Sequence, residues 1–171
     1  TEQLTERLLG ENSGAYWHDI VARINHPLSL GAYQRRGGEL PRRRPVIHAS
    51  DIGPGTVATG KHWEITAAPV EHVQPYLDSL AYRIDSDEGS IVFSGDTRPC
   101  ASLTELARGV DLLVMECIRL QDGMDGTPAG ESETGTRGAA ETARDAGVKR
   151  MALVHQSPEL DDPVVKMEAV A

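Results

Sequence analysis

Short runs of apolar and β-branched residues, separated by turns rich in glycine, proline and aspartate, fill the chain between residues 46 and 94. Runs of this length with turn signals between them are typical of β-strands. The segment IDSDEGSIVF, residues 84–93, has a turn-forming centre between two such runs and predicts a hairpin. The predicted strands lie at residues 46–47, 57–58, 63–67, 80–84 and 90–94.

After Cys100 the pattern changes to alternating helical and apolar segments. Ser102 or its neighbour can cap a first helix, and Gly147 can stop a second helix that carries alanines on one face. An antiparallel meander followed by β-α-β-α-β-α order is typical of a mixed α/β layered domain. The elements predicted here are helices at 101–108 and 135–146, strands at 110–115 and 148–154, and a final helix beginning at Asp161 or Asp162 with Pro163 in its first turn.

The first 45 residues carry a weaker pattern. Leu4, Leu8 and Leu9 have helical spacing ahead of Gly10, and one short helix is expected at residues 17–24 of an otherwise irregular region. Arginines cluster here, and they indicate either a solvated surface or a loop that faces an anion such as phosphate. The candidates for substrate binding are Arg35, Arg36 and Arg42, the last within the basic cluster 42–44.

The composition indicates what kind of core the chain forms and how its surface is charged. Because 39% of residues are hydrophobic but only 4% are aromatic, the core is expected to be aliphatic and rich in alanine. The formal charge of −9 disfavours a basic field over the whole surface, so nucleic acid would bind only at a local patch.

Cys100 and Cys117 form no Cys-x-x-Cys pair and are interpreted as structural thiols. Two cysteines do not make a disulfide framework, so a reduced, cytoplasmic state is expected. No apolar run is long enough to span a membrane, and no basic-then-apolar signal segment opens the chain.

Three predicted strands end in the same way, with a histidine or an aspartate at the start of the following loop. These residues are His72, Asp96 and His155. Open α/β sheets place ligand sites at the carboxyl ends of strands, where a rigid strand fixes the first residue of the loop. Imidazole and carboxylate suit zinc, manganese or iron, so the three residues together predict a metal site.

Over most of residues 46–160 the sequence resembles the metallo-β-lactamase fold family, and within it the branch around ribonuclease Z. The resemblance is carried by EHVQPYLDSLAYRID (71–85), IVFSGDTRPC (91–100), DLLVMEC (111–117) and AGVKRMALVHQSP (146–158), in that order. It implies a four-layered αβ/βα sandwich with a site for two metal ions, usually zinc. His72, Asp96 and His155 match ligand positions of the family, with Asp96 bridging the two ions. The shared water then becomes a hydroxide nucleophile near neutral pH.

One motif of that family does not occur in this sequence, namely His-x-His-x-Asp-His. Since most of the expected ligands belong to that motif, the chain is expected to be the C-terminal portion of a family member and inactive alone. A half-sandwich would expose its inner sheet face, which a partner, a swapped homodimer or a further segment would cover. The chain is interpreted as one partial domain, with helix and irregular loop over residues 1–45 and a mixed sheet with alternating helices over 46–171.

Glu133 occupies the position where ribonuclease Z carries a histidine that helps protonate the leaving group. A glutamate can serve as a general acid if its pKa is raised. It can equally be a surface carboxylate near a helix start, where the helix dipole favours negative charge. Glu133 is therefore a candidate catalytic residue together with Asp96.

Three functions stay open at this point. The first is ribonuclease-Z-like hydrolysis of a phosphodiester, with nucleic acid or a small molecule as substrate. The second is hydrolysis of an ester, a lactone or a sulfate by the same fold, which the fold alone does not exclude. The third is a catalytically incomplete fragment or subunit that needs a partner segment.

Overall fold

The computed structural model describes residues 2–11, 13–43 and 47–161 of the chain. The chain divides into two compact units, residues 1–52 and residues 53–171. The boundary falls in the exposed segment Asp51-Ile52-Gly53-Pro54. Glycine and proline in this segment are common where compact units are joined.

The first unit contains three short helices, α1 (Glu2–Leu9), α2 (Trp17–Asn25) and α3 (Pro27–Arg35). The helices predicted at the N-terminus and at residues 17–24 are confirmed, but the assignment of residues 27–35 to irregular structure was wrong. The signal for α3 is His26-Pro27: the His26 Nδ1 accepts a hydrogen bond from Leu28 N at 3.3 Å. Proline is favoured at the first helical position because its missing N–H has no partner there. None of these three helices buries a residue.

The second unit is built on one sheet of six strands in the order β1-β2-β3-β4-β5-β6. The strands β1 to β4 form an antiparallel meander, and β4, β5 and β6 are parallel. The predicted hairpin at residues 84–93 is confirmed by the pairing of β3 with β4. The strands are β1 (Gly55–Thr59), β2 (Trp63–Val70), β3 (Ser79–Ser86), β4 (Gly89–Phe93), β5 (Leu112–Glu116) and β6 (Met151–Val154).

Two helices, α4 (Ala101–Leu106) and α5 (Thr136–Ala146), lie in the crossover connections from β4 to β5 and from β5 to β6. Gly147 ends α5 in the left-handed conformation (φ 63°), as predicted. The predicted capping of α4 by Ser102 is wrong, because the Ser102 hydroxyl donates to the Pro69 carbonyl at 2.5 Å. Helix α4 ends two residues before its predicted end, and β5 and β6 begin two and three residues after their predicted starts. Differences of this size are usual for sequence-based boundaries.

The core lies between α4, α5 and one face of the sheet. Val92, Leu113 and Met115 supply the sheet side and are fully buried, and Leu103 and Ala139 face them from the helices. The cluster contains Val, Leu, Met, Ala and Cys but no aromatic residue, so the predicted aliphatic core is confirmed for the described residues. Cys100 and Cys117 are both buried free thiols, and burial raises the pKa of Cys117 to about 11.

The opposite face of the sheet is partly open. Side chains alternate along a strand, so Phe93 and Val154 point away from the helices, and each is 42% exposed. In the described ranges the six strands form a single sheet, and no second sheet packs on this face.

Three predictions fall outside or at the edge of the described chain. Val46 and the final helix predicted beyond Asp161 lie outside the described residues, as does Arg44. Ile47 is described and is not in a strand. Among the helices that the structure describes, none has the length and apolar character needed to cross a membrane.

Candidate functional site

Four strands end at one edge of the sheet, each with a polar residue at or just beyond its end. Strands β2 and β4 are both antiparallel to β3, while β5 and β6 are parallel to β4, so all four point the same way. Their carboxyl ends carry His72, Asp96, Glu116 and His155 respectively. The three sequence-predicted metal ligands therefore share this edge with a glutamate that the strand-end argument did not include.

The backbone of two of these loops is held in the left-handed region. His155 itself has φ 59°, and Val73, directly after His72, has φ 55°. A non-glycine residue costs on the order of 1–3 kcal/mol in such a conformation and persists only where the surroundings enforce it. Gly95, directly before Asp96, has φ 63°, which glycine adopts without that cost. Both histidine loops thus store strain beside the candidate ligands.

His155 lies close to two carboxylates. Its Nδ1 is 3.2 Å from Asp96 Oδ1 and 3.8 Å from Glu116 Oε1. The side chains of His155 and Asp96 are about half exposed, whereas that of Glu116 is 1% exposed. Asp96 and His155, two of the three predicted metal ligands, therefore lie in direct contact, and their role as ligands stays a prediction.

Glu116 is the buried acid of the site. Its Oε2 accepts a hydrogen bond from the Thr97 backbone N at 2.6 Å, and its own backbone N donates to Ser94 Oγ at 2.9 Å. Its Oε1 is buried without a hydrogen-bond partner. The pKa of Glu116 is raised to about 9, first by burial and then by the carboxyls of Glu133 and Asp96, while the Thr97 amide lowers it.

Glu133 sits against His72. Its Oε1 is 3.5 Å from His72 Nδ1, and both side chains are only 15% exposed, so the interpretation of Glu133 as an ordinary surface carboxylate is wrong. The same imidazole nitrogen lies 3.1 Å from the Ser132 carbonyl, which can only accept, so His72 Nδ1 carries the proton. This leaves His72 Nε2 as the free coordinating atom, the arrangement common for metal-binding histidines.

Thr97 forms hydrogen bonds with two neighbouring loops of the site. Its hydroxyl accepts from the Glu71 backbone N at 3.1 Å, and its carbonyl accepts from Thr134 Oγ1 at 2.6 Å. Glu71 also pairs with Arg98 through an isolated bridge and a salt bridge. The loops that carry His72, Asp96 and Glu133 are therefore fixed to one another by hydrogen bonds at adjacent positions.

The donor set at this edge fits a metal ion. Glu116, Glu133 and His155 each offer an atom within 4.8 Å of the others. Two carboxylate oxygens of this group, Glu116 Oε1 and Glu133 Oε2, are buried without a hydrogen-bond partner. Burial of an ionised carboxylate without a donor is costly, and the raised pKa of Glu116 reflects that cost; either a proton or a bound cation removes it. Glu116 could be noticed in the sequence as a charged residue ending the apolar run LLVME, but that signal alone does not distinguish a ligand from a strand end.

The candidate substrate-binding arginines belong to the first unit. The Arg42 guanidinium donates to Ser29 Oγ at 2.7 Å and stacks over the Tyr33 ring, 5.1 Å from its centroid. Arg35 and Arg36 are exposed at the end of α3. Their role in substrate binding stays a prediction.

Comparison with known proteins adds a family and a set of relatives. The family model described as "Beta-lactamase superfamily domain" matches residues 19–156. Ribonuclease Z of Mycobacterium bovis (strain BCG / Pasteur 1173P2) is 33% identical over 153 residues, which are 85% of this chain and 50% of that relative. Ribonuclease Z of Mycobacterium avium (strain 104) is 32% identical over 167 residues, which are 91% of this chain and 53% of the relative. The chain thus spans about half the length of these curated relatives.

Solved structures share the fold. The metallo-β-lactamase fold protein YhfI from Bacillus subtilis aligns with a TM-score of 0.56 at 21% identity, over 69% of this chain and 47% of its own. The short form of human tRNase Z aligns with a TM-score of 0.52 at 16% identity, over 78% of this chain and 58% of its own.

Proposed function

The chain belongs to the β-lactamase superfamily and has the metallo-β-lactamase fold, and we therefore propose that the protein is a metal-dependent hydrolase of phosphodiesters. The observation that carries the proposal is the 33% identity to a ribonuclease Z over 85% of this chain. Because the chain spans half of that relative, the activity is proposed for the natural protein that carries this sequence. We further infer two metal ions, zinc in the first instance, with manganese or iron as alternatives.

The roles of this chain's residues follow from their atoms. His72 keeps its proton on Nδ1 and presents Nε2, while Asp96 and His155 present a carboxylate and an imidazole at the same edge. When bound, divalent cations lower the pKa of a coordinated water and offset charge on the phosphoryl group. The hydrogen bonds of Thr97 hold the Asp96 loop in place, so the ligands need little rearrangement.

The proposed substrate is RNA, with a precursor transfer RNA as the first choice because one relative of the same fold is named a tRNase Z. Arg35, Arg36 and Arg42 are proposed to contact its phosphates. The net charge of −9 requires that such contacts form a local patch. A cytoplasmic location fits an RNA substrate. The cytoplasmic location and the formation of a homodimer both stay proposals.

The test is hydrolysis by the natural protein that carries this sequence. Its substrates are a precursor transfer RNA, bis(p-nitrophenyl) phosphate and, as a carboxyl ester, p-nitrophenyl acetate. We expect cleavage of the two phosphodiesters, loss of that cleavage on treatment with a chelator, and recovery on addition of zinc or manganese. Asp96→Asn is expected to lower phosphodiester turnover by at least about 100-fold because it removes an anionic ligand. The control is Glu105→Gln, which neutralises an exposed carboxylate that pairs with Arg108.

Two results would count against the proposal. Full activity of Asp96→Asn or of the chelated protein would exclude a metal at this site. Faster turnover of the carboxyl ester than of either phosphodiester would instead favour the ester hydrolase of the same fold.

A further inference from the structure

Arg119 lies three residues beyond the end of β5 and has a buried donor without an acceptor. Its Nε is buried and has no hydrogen-bond partner, and none of the carboxylates in the described ranges pairs with its guanidinium. A buried N–H of a charged group costs free energy if it stays unpaired, so such a group in a folded protein needs an explanation. An anion that binds from outside the described chain would satisfy both the donor and the charge.

The acidic residues that follow Arg119 in the chain pair with a different arginine. The carboxylates of Asp122 and Asp125 lie 3.8 and 3.7 Å from the guanidinium of Arg137. The stem of Arg119 instead packs over Gly123, where an added Cβ would be 3.3 Å from Arg119 Cδ. Because a chain with 26 acidic and 17 basic residues offers many carboxylates, the lack of one at Arg119 in the described ranges favours an external ligand.

The backbone places Arg119 beside a segment that contributes to the candidate site. Ile118 N donates to Thr134 O at 2.9 Å. Thr134 directly follows Glu133, whose carboxylate is 3.5 Å from His72 Nδ1. The segment of Arg119 therefore runs alongside the segment that brings Glu133 to the site.

A second segment of the site flanks Arg119 on the other side. Ser157 N donates to Ile118 O at 2.8 Å, and Ser157 lies two residues after His155. Ser157 Oγ is buried and, like Arg119 Nε, has no hydrogen-bond partner. Two unpaired polar groups on hydrogen-bonded neighbouring segments, each able to donate, favour a ligand rich in acceptor oxygens.

A phosphate group fits an arginine in this position. The guanidinium binds phosphate through parallel charge-assisted hydrogen bonds, which a single water molecule cannot replace because water leaves the positive charge unbalanced. In a polynucleotide, the phosphate that undergoes hydrolysis is flanked by further phosphates along the strand. A small phosphodiester such as bis(p-nitrophenyl) phosphate has no such neighbour.

We propose that Arg119 binds a substrate phosphate next to the one that is hydrolysed, and thereby favours a polynucleotide over a phosphodiester with a single phosphate. The proposal rests on the proposed function, since it assigns a further contact of the same substrate. It differs from the contacts proposed for Arg35, Arg36 and Arg42, which belong to the first unit.

The experiment measures binding of a fluorescein-labelled single-stranded RNA oligonucleotide to the natural protein that carries this sequence. Phosphorothioate linkages keep the negative charge of the RNA and slow its cleavage. Fluorescence anisotropy gives the dissociation constant at a series of salt concentrations. Each phosphate contact of a single strand contributes about 0.7 to the slope of log affinity against log salt concentration, so Arg119→Gln is expected to reduce the slope by about 0.7.

Arg119→Gln is also expected to weaken RNA binding about tenfold at low salt, the range found for hydrogen bonds to charged groups. Arg119→Lys keeps the charge and is expected to retain most of the slope. The matched control is Arg137→Gln, which removes an arginine that is 58% exposed and pairs with Asp122 and Asp125. This control is expected to bind RNA with an unchanged slope, and circular dichroism checks that every variant is folded.

The outcomes separate the Arg119 contact from the proposed function. An unchanged slope for folded Arg119→Gln, or an equal fall for Arg137→Gln, would overturn the contact whatever the activity. Failure of the unaltered protein to bind the RNA would also overturn it, while turnover of bis(p-nitrophenyl) phosphate would leave the proposed hydrolase standing. If the slope falls as expected but the unaltered protein cleaves no phosphodiester, the phosphate contact stands and the hydrolase does not.

Discussion

The carboxylate of Asp111, directly before β5, forms hydrogen bonds to strand β4 and to the segment that precedes β6. It accepts hydrogen bonds from the Ser90 backbone N at 2.8 Å and from Lys149 Nζ at 2.6 Å. The Lys149 ammonium first, and then the Ser90 backbone and hydroxyl donors, lower the pKa of Asp111 from 3.8 to about 2. The folded state therefore binds this proton less tightly than the unfolded state does. The stabilising contribution is fully present above about pH 4 and is lost as the pH falls through about 2.

Asp111→Asn is accordingly expected to lower the free energy of unfolding at pH 6, with a difference from the unaltered chain that shrinks steadily between pH 4 and pH 2. Urea unfolding at a series of pH values measures this difference. The control is Asp122→Asn, whose side chain is 98% exposed and which is expected to change stability little at any pH. A difference between Asp111→Asn and the unaltered chain that stays constant down to pH 2 would contradict the role assigned to the charge.

At the candidate site, the sequence predicted which edge of the sheet the residues occupy, but it did not predict which side chains contact one another. The strand-end argument placed His72, Asp96 and His155 at one edge because strand direction and side-chain order follow from the local pattern. Glu116 and the close approach of Glu133 to His72 could not be predicted in this way. Their burial depends on the loop of residues 117–135, whose path is set by long-range hydrogen bonds such as that from Thr134 to Thr97.

Among the elements, α5 is the one whose packing bears most directly on the site. Gly138 lies on its buried face, and a Cβ at this position would be 2.7 Å from Pro99 Cγ and 3.4 Å from Thr134 Cγ2. Helix propensity alone favours alanine over glycine by about 1 kcal/mol. The clash with the rigid proline ring is expected to outweigh this gain, since overpacking costs about 1–3 kcal/mol. We therefore expect Gly138→Ala to destabilise the chain by about 1 kcal/mol in urea unfolding.

The converse substitution on the exposed face of the same helix is the control for Gly138→Ala. Ala140→Gly has no such contact and is expected to cost about 0.5–1 kcal/mol through helix propensity alone. If Gly138→Ala instead stabilises the chain, Pro99 yields to the added methyl group and α5 does not fix the loop that follows Asp96.

Elements were predicted well where a local signal and the tertiary structure agree. The β3–β4 hairpin and α5 follow from turn residues and from alanine periodicity ended by Gly147. Helix α3 was missed because its apolar positions bury nothing, so no hydrophobic stripe marks it. The sequence signal for α3 is its start at His26-Pro27. The glycines and arginines that follow favoured an irregular segment, and the helix was therefore not predicted.

At the scale of the whole chain, the two units differ in how much core they contain. Among the residues that the structure describes, the sixteen buried hydrophobic ones lie between Ala67 and Leu160, in the second unit, whereas α1, α2 and α3 bury none. Burial of apolar surface is the main favourable term in folding, so local opening should be far easier in residues 1–52 than in the sheet.

Limited proteolysis of the 171-residue chain with thermolysin, which cuts before large apolar residues, tests this difference. We expect the first cuts at the exposed residues Leu28, Leu40, Ile47 and Ile52, and a resistant fragment beginning near residue 53, identified by mass spectrometry. Leu113→Ala, which removes a fully buried side chain at a cost of about 2–5 kcal/mol, should make that fragment susceptible without changing the early cuts. Cleavage within residues 79–154 as fast as within residues 28–52 would show that the core does not protect the second unit. The stability of the candidate site would then depend on contacts outside the core between the sheet, α4 and α5.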